Sequence, residues 1–590
     1  MYPRGRGERG AQAGYEEGYY MDQGNYWARW NSRRLTRRRL LGTAGATSSG
    51  LAALAVVGCG GDDDDDNSER TNTPQSTPAK PGVATETATT DTEARRGGTL
   101  RNGTYLNTIS IDPHVETSAG LAITNKIYTF LGAFNTIDST FHPMLAENVE
   151  QASDTEYIFH IRKGVKFHDV APVDGREVTA EDVVYSYERF RDLPNAQGND
   201  FFKQFVDKME AVDSHTFKLT TNAPYADTFT VLGASNGFGV QAAIVAKEDV
   251  EARGDLSNGG IGAGPFILDT YVKGERTLLK RNPDYWDPNL PYLDEWSTQI
   301  ILDQQTLLQA YKSGQLDIQS ATITKLDFAD LERNDNFISS KQAANYYASL
   351  GMNVSKEPFN DPRVREAIYI GIERKQFIDK VFQGEAAPMG VFSNGLAFWA
   401  LPQEEIAPYV TTDVQKAKEL LSAAGYPDGF DLDIDTSNGV KLMQDHAEIL
   451  VSELRKLGIN ANLKIGELGA VLSTKLYKGD FDAIVFAHNP NETLRRPIAM
   501  YHKNGVGAGS WWHYDNPEVT DAIDRQAQEL DVQKRQQIVY EMQRLALADW
   551  APMLNFATPT QFVSYNKRLG GYDPSLRGFQ GLRYTEYIKE

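Results

Sequence analysis

The sequence predicts an α/β protein of more than one domain, and three observations lead there. Of its 590 residues, 41% are hydrophobic and 11% aromatic, more apolar material than one small core needs; the length alone points to about two to four domains. The single cysteine, Cys59, excludes an internal disulfide framework, so packing must carry the stability. From Gly97 onward, stretches that alternate apolar and polar residues are followed by stretches with helical spacing, the strand-and-helix order of a mixed α/β architecture.

The chain opens with a basic segment. Residues 1–58 carry nine arginines against four Asp or Glu, so the net charge of −20 is concentrated after them. An acidic body with no Lys/Arg block repels phosphate backbones, and a nucleic-acid partner is excluded. Arginines 33, 34, 37, 38 and 39 precede an uncharged stretch, residues 40–58, in the charge-then-apolar order of an export signal. Arg37 and Arg38, in Thr36-Arg37-Arg38-Arg39-Leu40-Leu41, resemble a twin-arginine consensus, and Val56-Val57-Gly58-Cys59 resembles a lipobox. Signal residues 1–58 would then be removed and Cys59 would become a lipidated N-terminus. An uncleaved anchor is the alternative, disfavoured by the Gly, Ala, Ser and Thr content of residues 40–58. Residues 59–96, with five consecutive aspartates and a Thr/Pro-rich run, lack apolar periodicity and read as a disordered tether. Its reach as a coil is roughly 30 to 35 Å.

In the body, "YIFHIRKGVKFH" (157–168) alternates Tyr157, Phe159 and Ile161 against His160 and Arg162, a strand with one buried face. "TAEDVVYSYERF" then offers Thr179 and Asp182 as a capping pair ahead of a helical face of Val183, Val184, Tyr187 and Phe190. Further on, one helix is predicted from Asp361 and Pro362 to Gly384, and another from a Thr412–Gln415 capping box to Gly425. "FDAIVFAH" (481–488) reads as a short strand.

Catalytic signals are few. "GASNG" (233–237) matches the G-x-S-x-G elbow, with Ser235 as nucleophile and His446, His488, His502 and His513 as histidines further along the chain. Nine histidines without paired spacing and one cysteine offer no metal site, and no cofactor is expected. "GGIGAGPF" (259–266) lacks the rest of a phosphate loop and reads as a tight turn.

The segment 142–190, "HPMLAENVEQASDTEYIFHIRKGVKFHDVAPVDGREVTAEDVVYSYERF", resembles the signature of family 5 extracellular solute-binding proteins, the dipeptide, oligopeptide and nickel group. Blocks at 261–287, 352–378, 413–430 and 517–556 resemble the family in the same order. The resemblance implies a two-lobed fold of the periplasmic-binding-protein type II class with an extra subdomain in the first lobe. Mapped by block order, the first lobe takes 97–137, 259–345 and 556–590, the extra subdomain 138–258, and the second lobe 346–555. It implies a structural place for His168 and a loop, without catalysis, for Ser235.

It also implies an extracytoplasmic, membrane-tethered monomer that captures a peptide-like or other polar solute between its lobes and passes it to an ABC permease. The rival readings are a secreted serine hydrolase using Ser235 and a structural or adhesion lipoprotein. In peptide-binding relatives the loop after the strand resembling "FDAIVFAH" carries an aspartate for the ligand's amino group. Here residues 489–500 read "NPNETLRRPIAM", with Asn491 nearest that place and Arg495-Arg496 where Asp-Pro is usual. Candidate ligand contacts are Tyr105, Trp399, Asn489, Arg495, Arg496, Trp511 and Trp512, the aromatics because flat rings beside glycines can wall a cleft.

Overall fold

Thr99–Thr104 runs parallel to Glu295–Ile300 on one side and to Ile318–Gln319 on the other. The antiparallel strands Arg276–Arg281 and Phe266–Val272 complete this five-stranded sheet. The computed structural model describes residues 95–589 apart from 109, 116–119, 136–138, 195, 197–198, 235–241, 489–493, 506–510 and 575–583, with backbone alone at 121–122 and 495–496. A second five-stranded sheet has the order Asn460–Gly466, Asp431–Ser437, Ala483–His488, Tyr347–Met352, Met553–Asn555. Its first three strands are parallel, and Tyr347–Met352 is antiparallel to both neighbours. A four-stranded antiparallel sheet is built from Ala146–Ser153, Glu156–Ile161, Thr216–Thr221 and Val206–Asp213.

Two chain passages join the regions. Phe337–Ala343 pairs with Thr558–Asn566, and Tyr347–Met352 pairs with Met553–Asn555, so the connections 344–346 and 556–557 lie side by side. The Ala344 N–H donates to the Pro559 carbonyl at 2.8 Å, tying one connection to the other. This pair of crossovers, the hinge expected of a two-lobed fold, joins the second five-stranded sheet to Phe337–Ala343 and Thr558–Asn566.

Local chemistry explains most elements. In Glu156–Ile161 every second residue is buried, Tyr157, Phe159 and Ile161, as the alternation requires. The strand stops at Ile161 and not at residue 168, because Gly164 turns the chain with φ +76°. The helix Ala180–Asp192 is capped as read: the Asp182 carboxylate accepts from the Thr179 N–H at 2.9 Å, and its buried face carries Val183, Tyr187 and Phe190. Tyr187 packs on Phe202 and Phe217, with centroids 5.0 and 5.6 Å away, closing the core of the four-stranded layer.

Two helix expectations need correction. The span from Asp361 to Gly384 holds two helices, Pro362–Gly371 and Arg374–Phe382. They part because the Glu373 N–H is taken at 3.1 Å by the Glu453 carboxylate, a partner outside the helix. The other expected helix, Val414–Ala423, is capped by Asp413, whose carboxylate accepts from the Lys416 N–H at 2.9 Å, and not by Thr412. The glycines at 259–266 also serve a different end from a simple turn. A Cβ on Gly262 would come within 2.0 Å of the Ile127 carbonyl, so that backbone lies directly against the end of the helix Leu121–Ile127.

The first sheet is closed by a charge cluster. The fully buried Asp317 carboxylate accepts from Arg101 at 2.8, 2.9 and 3.2 Å and from Arg568 at 2.5 and 2.9 Å. Residues 216 and 251 positions away in sequence are thus clasped to one carboxylate.

Candidate functional site at the hinge

The second sheet has a topological switch point. From Asp431–Ser437 the chain passes through the helix Lys441–Arg455 to Asn460–Gly466 on one side, then through Leu468–Thr474 to Ala483–His488 on the other. The carboxyl ends of Asp431–Ser437 and Ala483–His488 therefore diverge, and a crevice at that place is where open α/β sheets hold ligands. Register puts Tyr347 opposite His488, so the crevice end adjoins the first crossover of the hinge.

His488 occupies that end and is fixed by a relay. Asn555 donates from Nδ2 to the carbonyls of Gly390 and Val391 at 2.8 and 2.9 Å, which leaves its Oδ1 toward Ser349. The Ser349 hydroxyl donates to that oxygen at 2.6 Å and so accepts from His488 Nε2–H at 2.9 Å. The imidazole stacks on Tyr347 at 4.2 Å and meets Phe486 at 4.4 Å. The strand Met553–Asn555 thereby sets the orientation of a ring at the carboxyl end of Ala483–His488. On the first sheet, the carboxyl end of Thr99–Thr104 is organised by Ser320, whose hydroxyl accepts from the Tyr105 N–H and donates to Thr104 Oγ1, both at 3.1 Å.

The sequence-derived candidates fall in different places. Tyr105 is half-buried directly after the strand Thr99–Thr104. Trp512 is buried over the strand Tyr347–Met352: a Cβ on Gly351 would lie 2.1 Å from its ring, and its indole N–H donates to the Met500 carbonyl at 3.1 Å. It also touches Phe486 at 5.3 Å, so Trp512, Phe486, His488 and Tyr347 form one aromatic row reaching the crevice end. Trp511 packs beside Trp512 and Tyr477. Trp399 lies apart from this row, buried beneath Arg535, 5.3 Å from the guanidinium, with its carbonyl taken by Gln543. Asn489 lies outside the described residues, as do Cys59, Arg37 and Arg38. Arg495 and Arg496 open the short helix Arg495–Ala499, with only their backbone described.

The hydrolase reading meets the wrong local order. "TFTVL" is a helix, Thr228–Leu232, and only the two-residue strand Gly233–Ala234, paired with Gly132–Ala133, precedes Ser235, where an elbow needs a full sheet strand leading into its serine. Ser235 itself lies outside the described residues. His446 bonds the Leu442 carbonyl at 2.7 Å, and burial pushes its pKa down to about 4. His168 sits in a structural place: its Nε2–H donates to the Gly264 carbonyl at 3.0 Å, and burial likewise pushes it down to about 4. Among the described residues no three His, Cys, Asp or Glu side chains gather as a metal site.

Residues 140–508 match the family model of bacterial extracellular solute-binding proteins, family 5 (middle). The chain belongs to this family. It is therefore an extracellular solute-binding protein, and its sheets and double crossover are those of the type II binding-protein fold. The Di/tripeptide-binding protein 2 of Pseudomonas aeruginosa is 26% identical over 484 residues, covering 76% of this chain and 87% of that one. The Heme-binding protein A of Haemophilus influenzae is 25% identical over 494 residues, covering 79% and 88%. Among solved structures, the periplasmic binding protein DppA of Helicobacter pylori in complex with peptide STSA aligns with a TM-score of 0.65 and 25% identity, covering 84% of this chain and 99% of that one. AgaA of A. tumefaciens R10 in complex with agropinic acid aligns at 0.64 with 27% identity, covering 84% and 99%. No helix among the described residues is long and apolar enough to cross a membrane.

Sequence reasoning missed Tyr347, Ser349 and Asn555 and weighed His488 only as a triad histidine. The one available signal was a histidine closing the strand "FDAIVFAH" directly before an irregular loop.

Proposed function

We propose that this protein is the solute-capturing component of an ABC importer, held outside the cell membrane by lipid on Cys59 after export through the Arg37-Arg38 signal. Family membership, with an aromatic row at the switch point, carries the reading. The H. pylori relative is described as ABC transporter-associated, and several relatives bind di- or tripeptides. The proposed lobes are 97–137, 259–345 and 556–590 against 346–555, with an extra subdomain at 138–258; the two five-stranded sheets and the four-stranded sheet each draw on one of these parts, while Ala386–Ala387 and Gly132–Asn135 pair across the boundaries. Tyr105, Asn489, Trp511 and Trp512 remain candidate contacts, together with His488 and Tyr347. Mass spectrometry of the solute that co-purifies with the native protein tests the reading; a protein that never carries a polar solute and labels with serine-directed probes at Ser235 would overturn it.

The solute's charge is the finer part of the proposal. Asn491 stands nearest the place of the ammonium-pairing aspartate and Arg495-Arg496 where Asp-Pro is usual, so the loop offers positive charge in place of acid and the solute presents a carboxylate or phosphate to one of the arginines. A relative that binds agropinic acid supports an acidic ligand on this scaffold. Truncating one partner of a buried charged pair costs about 2 to 5 kcal/mol. Arg495→Ala or Arg496→Ala is expected to weaken calorimetric affinity for the co-purified solute by about thirty-fold or more. Both variants binding within about threefold of wild type would leave the loop as scaffold.

Cys59→Ser is expected to release the protein from membranes with solute affinity intact. Metabolic labelling with an alkyne fatty acid checks it, since label surviving the substitution cannot be on Cys59.

A further inference from the structure

A pocket behind the relay, partly open to solvent and about 300 Å³ with that open space included, is walled in part by Tyr369, Arg374, Gly390, Tyr409, Tyr501 and Asn555, and its core admits a single small occupant. Its chemistry is unbalanced. Arg374 is 4% exposed, yet no carboxylate among the described residues lies within 4 Å of its guanidinium. Nη1 donates to the Tyr369 carbonyl at 2.9 Å, but the buried Nε–H meets no acceptor. The Tyr501 hydroxyl, also buried, has the Asn555 side chain beside it but makes no well-aligned hydrogen bond among the described residues. Burial pulls the guanidinium pKa down to about 10, which still leaves it charged at neutral pH.

A buried cation without a counter-ion is destabilising by several kcal/mol. A water could accept from the Nε–H and the hydroxyl, but it would leave the charge uncompensated. A carboxylate-bearing solute is too large for the centre of the pocket. We propose that this pocket is a binding site for a small inorganic monovalent anion of chloride's size, held by Arg374 Nε–H and the Tyr501 hydroxyl. The site is separate from the crevice but shares Asn555 with it, the same side chain that orients Ser349 and His488. Anion occupancy therefore reinforces the hinge side of the second lobe.

Crystals of the full chain soaked in sodium bromide are expected to show an anomalous peak between Arg374 and Tyr501. In solution, the melting temperature is expected to rise with sodium chloride over sodium gluconate at equal ionic strength, following mass action. Tyr501→Phe removes one donor to a charged partner and keeps the aromatic packing. It should raise the half-saturating chloride concentration about tenfold. Arg374→Gln should abolish the chloride-specific gap; should that variant fail to fold, Tyr501→Phe alone decides. An empty pocket in bromide, or an equal chloride effect in wild type and Tyr501→Phe, overturns the proposal. A bromide peak without any chloride-specific melting shift counts against it too, as binding at crystal concentration only.

Discussion

Asp317→Ala is expected to destabilise the protein by about 3 kcal/mol, the lower end of the 3 to 5 kcal/mol typical for breaking a buried ion pair. The lower end applies because Arg101 and Arg568 each keep 35% of their side-chain surface in water. The loss would exceed an ordinary surface pair because the carboxylate is wholly buried and also accepts the Arg101 backbone N–H. Without it two guanidiniums face each other across the seam that joins the strands Thr99–Thr104 and Ile318–Gln319 to the segment after Thr558–Asn566. The effect should depend on pH. Burial alone would push the Asp317 carboxyl up, but the hydrogen bonds from Arg568 and Arg101 outweigh it and hold the carboxyl below its usual value. A depressed folded value contributes stability that is complete above the unfolded carboxylate range and is lost as pH falls through the folded one. Urea midpoints of wild type and variant should differ widely at neutral pH and converge in acid. A gap under about 1 kcal/mol at neutral pH, or one that persists unchanged in acid, would show that the carboxylate does not clasp the seam.

What could be read from the sequence was what neighbours in sequence decide. The Thr179–Asp182 cap, the alternation of Tyr157, Phe159 and Ile161, and the Asp361-Pro362 helix start are local, and the structure has them. The break at Glu373 was hidden because its cause is a carboxylate 80 residues away. The hinge relay was hidden for the same reason: Ser349 meets His488 and Asn555 across 139 and 206 residues, and only strand register brings them together. Trp511 and Trp512 were singled out as aromatic, yet which face Trp512 covers depends on Gly351, a residue with no signal of its own. Arg374 looks like any charged residue at a helix start; its burial without a carboxylate appears only once the Tyr369 and Tyr501 walls are in place.

Arg535→Ala is expected to weaken solute binding by about 3 kcal/mol, more than a hundredfold, while the ligand-free protein loses less stability. Arg535 stands on the helix Val532–Ala548, which leads into the second sheet. Its Nη2 donates at 2.8 Å to Asp227, which lies between the four-stranded layer and Gly233–Ala234; both side chains are under a tenth exposed. Its Nε holds Gln526 at 3.0 Å, and beside the pair the Ala226 N–H donates to the Ala527 carbonyl at 2.9 Å. The contact thus spans the two halves that the hinge joins. If solute binding closes the lobes, this pair is desolvated on closure, and removing Arg535 leaves Asp227 buried and unpaired only in the closed form. In a form with the lobes apart water would reach Asp227, and the penalty would then fall on binding. Arg535→Met keeps apolar contact over Trp399 and should show the same loss, separating charge from packing. Scattering would report the closure directly: wild type should contract with the co-purified solute, and the variants should need a far higher concentration to do so. An equal fall in melting temperature with and without solute would mean that the Asp227–Arg535 interface never opens, and that closure, if it occurs, pivots elsewhere.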